Sequence, residues 1–131
     1  MPQLRDSGNH STAPLDAHTK DEIQSFARIF GIETEYGVSV TGSDRPCDAG
    51  QTAMMMFQPI VAEARSTNTY IENGSRLYLD VGSHPEYATA EARDPMDALA
   101  LDAAGELVMR DLALDAQRRL RSIQGLSLIH I

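Results

Sequence analysis

The chain has 131 residues, of which 11 are basic and 19 are acidic, so its formal net charge is −8. A single cysteine, Cys47, excludes a disulfide framework and a zinc site of the Cys-x-x-Cys type, and is typical of a reducing compartment. The acidic balance argues against a nucleic-acid partner, because a negative chain repels phosphate backbones. Neither a membrane-spanning run nor a signal-peptide pattern is visible, so a cytoplasmic protein with no membrane partner is predicted.

The first half of the chain divides into a polar extension, a strand and a helix. Residues 1–25 contain too few apolar side chains to form a core and are predicted to be disordered. Apolar residues alternate with glycine and polar residues from Ile29 to Val40, which predicts a half-buried strand. After a loop over residues 41–50, a helix is predicted over residues 51–65, with a kink or a break at Pro59.

A β-hairpin is predicted over residues 70–81, with Asn73-Gly74 forming a type I′ turn. A further short strand is predicted over residues 86–91. On the second strand of the hairpin, alternation places a cation, a phenol and a carboxylate on one face: Arg76, Tyr78 and Asp80. Such a row can contact one ligand from a rigid scaffold, and a solvated face with cross-strand ion pairs is the alternative.

Carboxylates recur on the predicted strands and raise the question of a cation. Glu33 and Glu35 share a strand face, where they repel each other unless water or a cation lies between them. Glu86 and Glu91 are further candidates for such a site, although a solvated acidic face remains the alternative. His84 has no second histidine or cysteine at zinc-ligand spacing and is predicted to shape a turn or bond a carboxylate.

The second half ends in a long helix. Asp94 followed by Pro95 is an N-cap with proline at the first helical position, and the helix is predicted to run to about Leu120. Its buried stripe is predicted from helical spacing to consist of Met96, Leu99, Ala103, Leu107 and Leu114.

Two strings, RIFGIETEYGV (28–38) and NGSRLYLDVGSHPEYATAE (73–91), closely resemble the Pup–protein ligase family, also called proteasome accessory factor A. The resemblance covers residues 28–120. It implies an α+β fold in which residues 26–124 form the N-terminal part of a glutamine synthetase-like catalytic domain, with a curved antiparallel sheet cradling Mg-ATP and packed helices. Residues 125–131 do not resemble the family and are predicted to be a non-native end.

The resemblance also implies roles for six residues. Glu33, Tyr78 and Glu86 correspond to the magnesium ligands, Arg76 and Thr89 to ATP contacts, and Asp80 to the proton acceptor. Glu35 and Glu91 match the family strings without an assigned role.

The implied reaction is ATP-dependent ligation of the protein Pup to target proteins. The γ-carboxylate of the C-terminal glutamate of Pup becomes a γ-glutamyl phosphate, and a lysine of the target protein attacks it to form an isopeptide bond. Two alternatives remain open: the related Pup deamidase and depupylase, whose strings run closer to GTEVEYG and LYVDHAHPEYS, and an inactive truncated fragment. Family members are several times longer, and a tryptophan that contacts ATP in them is absent from this chain.

Overall fold

The computed structural model describes residues 28–43, 45–125 and 128–131; the predicted disordered extension lies outside these ranges. Within them the chain forms β1 (Glu33–Glu35), β2 (Ser39–Thr41), α1 (Ala49–Ala64), β3 (Asn68–Tyr70), β4 (Arg76–Leu79), β5 (Pro85–Ala88), α2 (Pro95–Gln124) and β6 (Leu128–His130). The predicted α+β class is confirmed. No helix in the described ranges combines the length and apolar character needed to span a bilayer.

The main sheet has four strands in the order β1-β5-β4-β3, and every neighbouring pair is antiparallel. A second, two-stranded sheet pairs β2 with β6. Strand β6 lies within the end predicted to be non-native, residues 125–131, and pairs with β2; whether the sequence of this end is native stays a prediction.

Both helices pack on one face of the main sheet. Tyr87 of β5 and Leu77 of β4 are directly opposite each other in the ladder, and both are buried. They join the buried residues of the helices in one core: Met56 and Phe57 of α1, and Met109, Ala113 and Ala116 of α2. Since side chains alternate across a strand, the residues on either side of Tyr87 and Leu77 lie on the opposite face.

The prediction of a single strand over residues 29–40 is wrong in one respect, because the structure has two short strands there, β1 and β2. The predicted alternation of more and less exposed residues holds from residue 31 to residue 40. The ladder with β5 ends where the Tyr36 N–H donates to the Pro85 carbonyl, because Pro85 has no N–H to return. Beyond that point the chain leaves the main sheet and pairs with β6.

The predicted hairpin is present, but its strands are shorter and its turn is different. The register pairs Tyr70 with Arg76, so five residues connect the strands. Gly74 has φ +83°, whereas the non-glycine residues of the described chain with positive φ are Arg65 and Ser83, which excludes a type I′ turn at Asn73-Gly74. The side chain of Asn73 stabilises the longer loop, accepting from the Ser75 N–H and donating to the Tyr87 hydroxyl.

Of the two alternatives predicted at Pro59, a break is wrong, because α1 runs without interruption across it, while the kink stays a prediction. Buried residues before Pro59 and half-buried residues after it pack on the same core, which stabilises one continuous helix. The helix begins two residues earlier than predicted because the Asp48 carboxylate accepts the Gln51 N–H at 2.8 Å and caps it.

The strand predicted over residues 86–91 is present but has different bounds: β5 spans Pro85–Ala88.

The cap of α2 is as predicted, with the Asp94 carboxylate accepting the Met96 N–H at 2.7 Å, and the helix extends to Gln124. The predicted buried stripe is wrong. Its large members are exposed, at 69% for Met96, 55% for Leu99, 52% for Leu107 and 43% for Leu114. The buried stripe instead comprises Ala98, Gly105, Met109, Ala113, Ala116 and Leu120. At Gly105, where α2 lies against Tyr87, a larger side chain does not fit.

Gly105 makes this contact possible. A Cβ atom at position 105 would lie 2.3 Å from Cδ1 of Tyr87, a separation that forces the ring or the helix to move. We therefore expect Gly105→Ala to lower the free energy of unfolding by about 1–3 kcal/mol through overpacking. This loss would occur even though alanine normally stabilises a helix relative to glycine by about 1 kcal/mol.

Thermal and urea unfolding followed by circular dichroism would measure the change. Ala103→Gly, at an exposed position of the same helix, is the matched control and should lose only the propensity difference of about 1 kcal/mol. A Gly105→Ala variant more stable than the parent would contradict the packing described.

Candidate active site on the open face of the sheet

The face of the main sheet opposite the helices carries a group of polar side chains from three strands. They are Glu33 and Glu35 of β1, Glu86 of β5, and Arg76 and Tyr78 of β4. In the ladder, Glu35 is opposite Glu86, and Glu86 is opposite Tyr78. The structure thus brings together four of the six residues predicted for the site, and adds Glu35 to them.

Tyr78 is the hydrogen-bonding centre of this group. Its hydroxyl donates to Oε1 of Glu86 and lies 3.4 Å from Oε1 of Glu33. Glu86 is only 7% exposed, so its carboxylate needs a hydrogen-bond donor to offset the loss of water. Two carboxylates from different strands therefore converge on one phenol oxygen.

The same surroundings favour the neutral form of Tyr78. Desolvation first, then the hydrogen bond to Glu86 and the negative charges of Glu86 and Glu33, raise the pKa of Tyr78 well above its ordinary value. The positive charge of Arg76 opposes this shift without cancelling it. At neutral pH the group is a neutral hydrogen-bond donor and, toward a cation, a weak oxygen ligand.

Arg76 is held in place from two directions. Its guanidinium carbon lies 4.1 Å from the centroid of the Tyr78 ring, a cation–π distance, and its Nε donates to Oδ1 of Asn68 at 2.8 Å. In the ladder Ala88 lies between Arg76 and Glu33. The small side chain of Ala88 leaves room above the strands between a cation and a carboxylate.

Glu35 contacts His84, as the carboxylate-bonding prediction for this histidine requires. Nδ1 of His84 and Oε1 of Glu35 are 2.5 Å apart, and both side chains are about half exposed. Glu35 also lies opposite Glu86 in the ladder, where two like charges would otherwise destabilise the strand pair. The contact with His84 therefore offsets part of the repulsion between the two strands.

The remaining predicted residues lie at the ends of the strands. Asp80 is exposed, directly follows β4, and donates its N–H to the His84 carbonyl at 2.9 Å. Thr89 directly follows β5, and its hydroxyl accepts the Ile32 N–H at 2.9 Å. Glu91 lines a separate cavity of about 700 Å³ beside the start of α2. The roles of Asp80 and Thr89 stay predictions.

The donor set fits a hard cation such as Mg²⁺, which prefers oxygen ligands and is usually held by one or two carboxylates together with water and phosphate oxygens. Glu33, Glu86 and the Tyr78 oxygen supply two carboxylates and a phenol. Among the described residues no group of three or more histidine, cysteine, aspartate or glutamate side chains lies close enough to hold a metal by itself. The arrangement is therefore better suited to a cation that is partly coordinated by a phosphate ligand than to a cation coordinated by protein groups alone.

Sequence reasoning assigned no role to Asn68, which anchors Arg76 from the neighbouring strand. The pairing of Asn68 with Tyr78 depends on the five-residue connection between β3 and β4. The alternation of residues along β3 was the sequence signal for the position of Asn68. It identifies the neighbours of Asn68 on β4 only when the register of the two strands is known.

We expect the pKa of Tyr78 to be measurable by ¹³Cζ-tyrosine NMR, with Tyr78→Phe identifying its resonance. The signal should remain that of a neutral phenol at pH 10, the ordinary pKa of tyrosine, and titrate above it. Glu86→Gln should lower this pKa by removing a negative charge, whereas Glu91→Gln is the matched control. The stabilisation linked to this proton is fully present below pH 10 and is lost as the pH rises through the folded-state pKa. An ordinary titration of Tyr78 would contradict the hydrogen-bonded arrangement.

Comparison with known proteins places the chain among its relatives. The family described as "Pup-ligase protein" matches residues 28–130. The Pup–protein ligase of Bifidobacterium adolescentis is 96% identical over 132 aligned positions, and that of Bifidobacterium dentium is 83% identical over 132. Each alignment covers 100% of this chain and 27% of the relative, so the chain spans about a quarter of the length of these proteins.

Among solved structures, the ligase PafA in its complex with the prokaryotic ubiquitin-like protein Pup matches with a TM-score of 0.72 and 42% sequence identity. The match covers 79% of this chain and 21% of that one. It confirms the predicted glutamine synthetase-like fold for the described part of the chain. Together with the family match over residues 28–130, it shows that the chain belongs to the Pup ligase family.

Proposed function

We propose that the intact protein is a Pup–protein ligase that acts in the cytoplasm. It would use ATP and Mg²⁺ to join the γ-carboxylate of the C-terminal glutamate of Pup to lysine side chains of target proteins. The observation that carries this proposal is the convergence of Glu33, Glu86, Tyr78 and Arg76 on the open face of a sheet that matches a solved Pup ligase. The names of the two relatives above favour ligation over the depupylase alternative.

The charges on the open face explain why nucleotide and cation would bind together. Glu33, Glu35 and Glu86 repel the polyphosphate of ATP, so the nucleotide must carry compensating positive charge. Glu33, Tyr78 and Glu86 would hold Mg²⁺, which when bound would neutralise and align the phosphate being transferred. Arg76, already fixed by Asn68 and the Tyr78 ring, would contact phosphate oxygens.

Thr89 would be the second contact with ATP. Its hydroxyl oxygen accepts the Ile32 N–H and its own N–H donates to the Ile32 carbonyl, so its backbone and side chain are both bonded to the residue that precedes β1. The hydroxyl proton can still be donated to a ligand oxygen.

The chemistry needs two activations. A free carboxylate is a poor acyl donor, and transfer of a phosphoryl group from ATP to the glutamate of Pup gives a γ-glutamyl phosphate. The attacking lysine must then lose a proton to become a nucleophile, and Asp80 would accept it. Asp80 suits this role because it is exposed at the end of β4, two residues after Tyr78.

The test uses a chimera in which residues 28–124 of this chain replace the matching segment of the full-length Bifidobacterium adolescentis ligase. In this background, Asp80→Asn should lower the rate of Pup conjugation by about 100-fold or more, because general-base catalysis contributes about 10²–10⁴-fold. Nucleotide affinity should change little, since asparagine preserves the shape of the side chain. Gel-shift assays of Pup conjugates and calorimetric titration with Mg-ATP would measure the two quantities.

Asp111→Asn, which removes an exposed carboxylate on α2, is the matched control and should conjugate at the parental rate. Conjugation that survives Asp80→Asn would contradict the role of Asp80 as the base. A chimera that releases Pup from conjugates rapidly but forms none would be a depupylase.

The 131-residue polypeptide by itself should not catalyse ligation. It matches only 27% of the length of its relatives, and large apolar side chains of α2 are exposed in it. Isothermal titration with Mg-ATP should give no binding tighter than about 10 μM, whereas the chimera should bind in the usual range for an enzyme substrate. Tight binding by the isolated polypeptide would show that the described face is sufficient for the nucleotide.

A further inference from the structure

The turn between β4 and β5 carries Asp80 at its first position and His84 at its last. The Asp80 N–H donates to the His84 carbonyl and the Ser83 N–H donates to the Asp80 carbonyl, both at 2.9 Å. Gly82 and Ser83 both have positive φ, +85° and +62°. For Ser83, a residue with a Cβ atom, this conformation is uncommon and persists where the surroundings fix it.

One fixed point of this turn is the His84 side chain. Its ring lies over Gly82, with Nε2 3.5 Å from the position that a Cβ atom of Gly82 would occupy. Nδ1 of the same ring lies 2.5 Å from Oε1 of Glu35 on β1. Since a carboxylate oxygen accepts hydrogen bonds, Nδ1 carries the proton in this contact.

A second fixed point is the start of α1. A Cβ atom at Gly50 would lie 3.4 Å from both Cβ and Oγ of Ser83, so the start of α1 passes close to the turn. The turn is therefore bonded to β1 on one side through His84 and lies close to α1 on the other. Asp80 lies at the junction of this turn with β4.

We propose that His84 and Glu35 are positioning residues that fix Asp80 relative to the carboxylates and Arg76 on the open face. The inference rests on the proposed function, in which Asp80 is the base. The pair acts through the turn, and His84 need not touch a substrate. Because the two side chains are about half exposed, the pair contributes little to global stability. Its effect is on the geometry of the base, where a displacement of about 1 Å can cost about 100-fold in rate.

The chimera defined above provides the test. We expect His84→Ala to lower kcat for Pup conjugation by about tenfold while the KM values for ATP and Pup change by less than about twofold. His84→Asn should restore most of the rate, because Nδ2 of asparagine occupies nearly the same place as Nδ1 of histidine. His84→Gln, whose donor corresponds to Nε2, is the matched control and should not restore it.

Hydrogen–deuterium exchange gives a readout that does not depend on activity. Uptake in a peptide covering residues 80–84 should be faster by about threefold or more in both His84→Ala and Glu35→Ala, with no change in peptides from α2. A merely structural role would instead lower the melting temperature and raise uptake throughout the sheet.

The outcomes separate the two proposals. If the parental chimera conjugates Pup, an unchanged kcat in His84→Ala overturns the positioning role, whatever the exchange shows. Equal rates for His84→Asn and His84→Gln overturn the assignment of Nδ1 as the donor. If the parental chimera forms no conjugate, the proposed function fails, and the exchange data alone then support or overturn the contact between His84 and Glu35 as the restraint on the turn.

Discussion

The burial of Tyr87 between β5 and α2 determines the organisation of the described chain. Gly105 allows the helix to approach the ring, and Asn73 donates to its hydroxyl from the loop between β3 and β4. Once Tyr87 and Leu77 face the helices, alternation places Glu86, Arg76 and their neighbours on the other face. The position of the polar groups is therefore a consequence of apolar packing on the opposite side of the same strands.

On the open face, like charges are kept close together by specific partners. Glu86 is buried with the Tyr78 hydroxyl as its donor, and Glu35 is paired with His84. Arg76 supplies positive charge from a side chain that is itself anchored to Asn68. In the proposed function, such pre-arranged charges would need little reorganisation on binding a cation and a polyphosphate, and preorganised charge is the main way in which enzymes stabilise phosphoryl transfer.

Much of this site could be predicted from period-two alternation and from the resemblance of two strings to a family. Alternation alone placed Arg76 and Tyr78 on the same face of one strand, and Glu33 and Glu35 on the same face of a second strand. It could not give the register, since that depends on how many residues connect two strands, and the connection after Tyr70 has five. The pairing of Asn68 with Tyr78 was therefore not predicted.

The long helix shows a different limit of sequence reasoning. Helical spacing identified an apolar stripe on α2, but a second stripe, mostly of alanine and glycine, is the buried one, and its Gly105 lies against Tyr87. The size of the cavity available to a helix decides between two such faces, and a hydrophobicity pattern carries no information about that size. The alternation of β1 and β2 was correctly predicted, while the division between them depended on a proline in another strand.

Pro85 has a consequence for how this part of the chain can vary. Because it lacks an N–H, the ladder between β1 and β5 ends at Tyr36, and the chain then pairs with a different sheet. The ladder that carries Glu33, Glu35 and Glu86 is thus separate from the ladder between β2 and β6. Insertions and deletions between β2 and the start of α1 would therefore leave the spacing of the carboxylates on the open face unchanged.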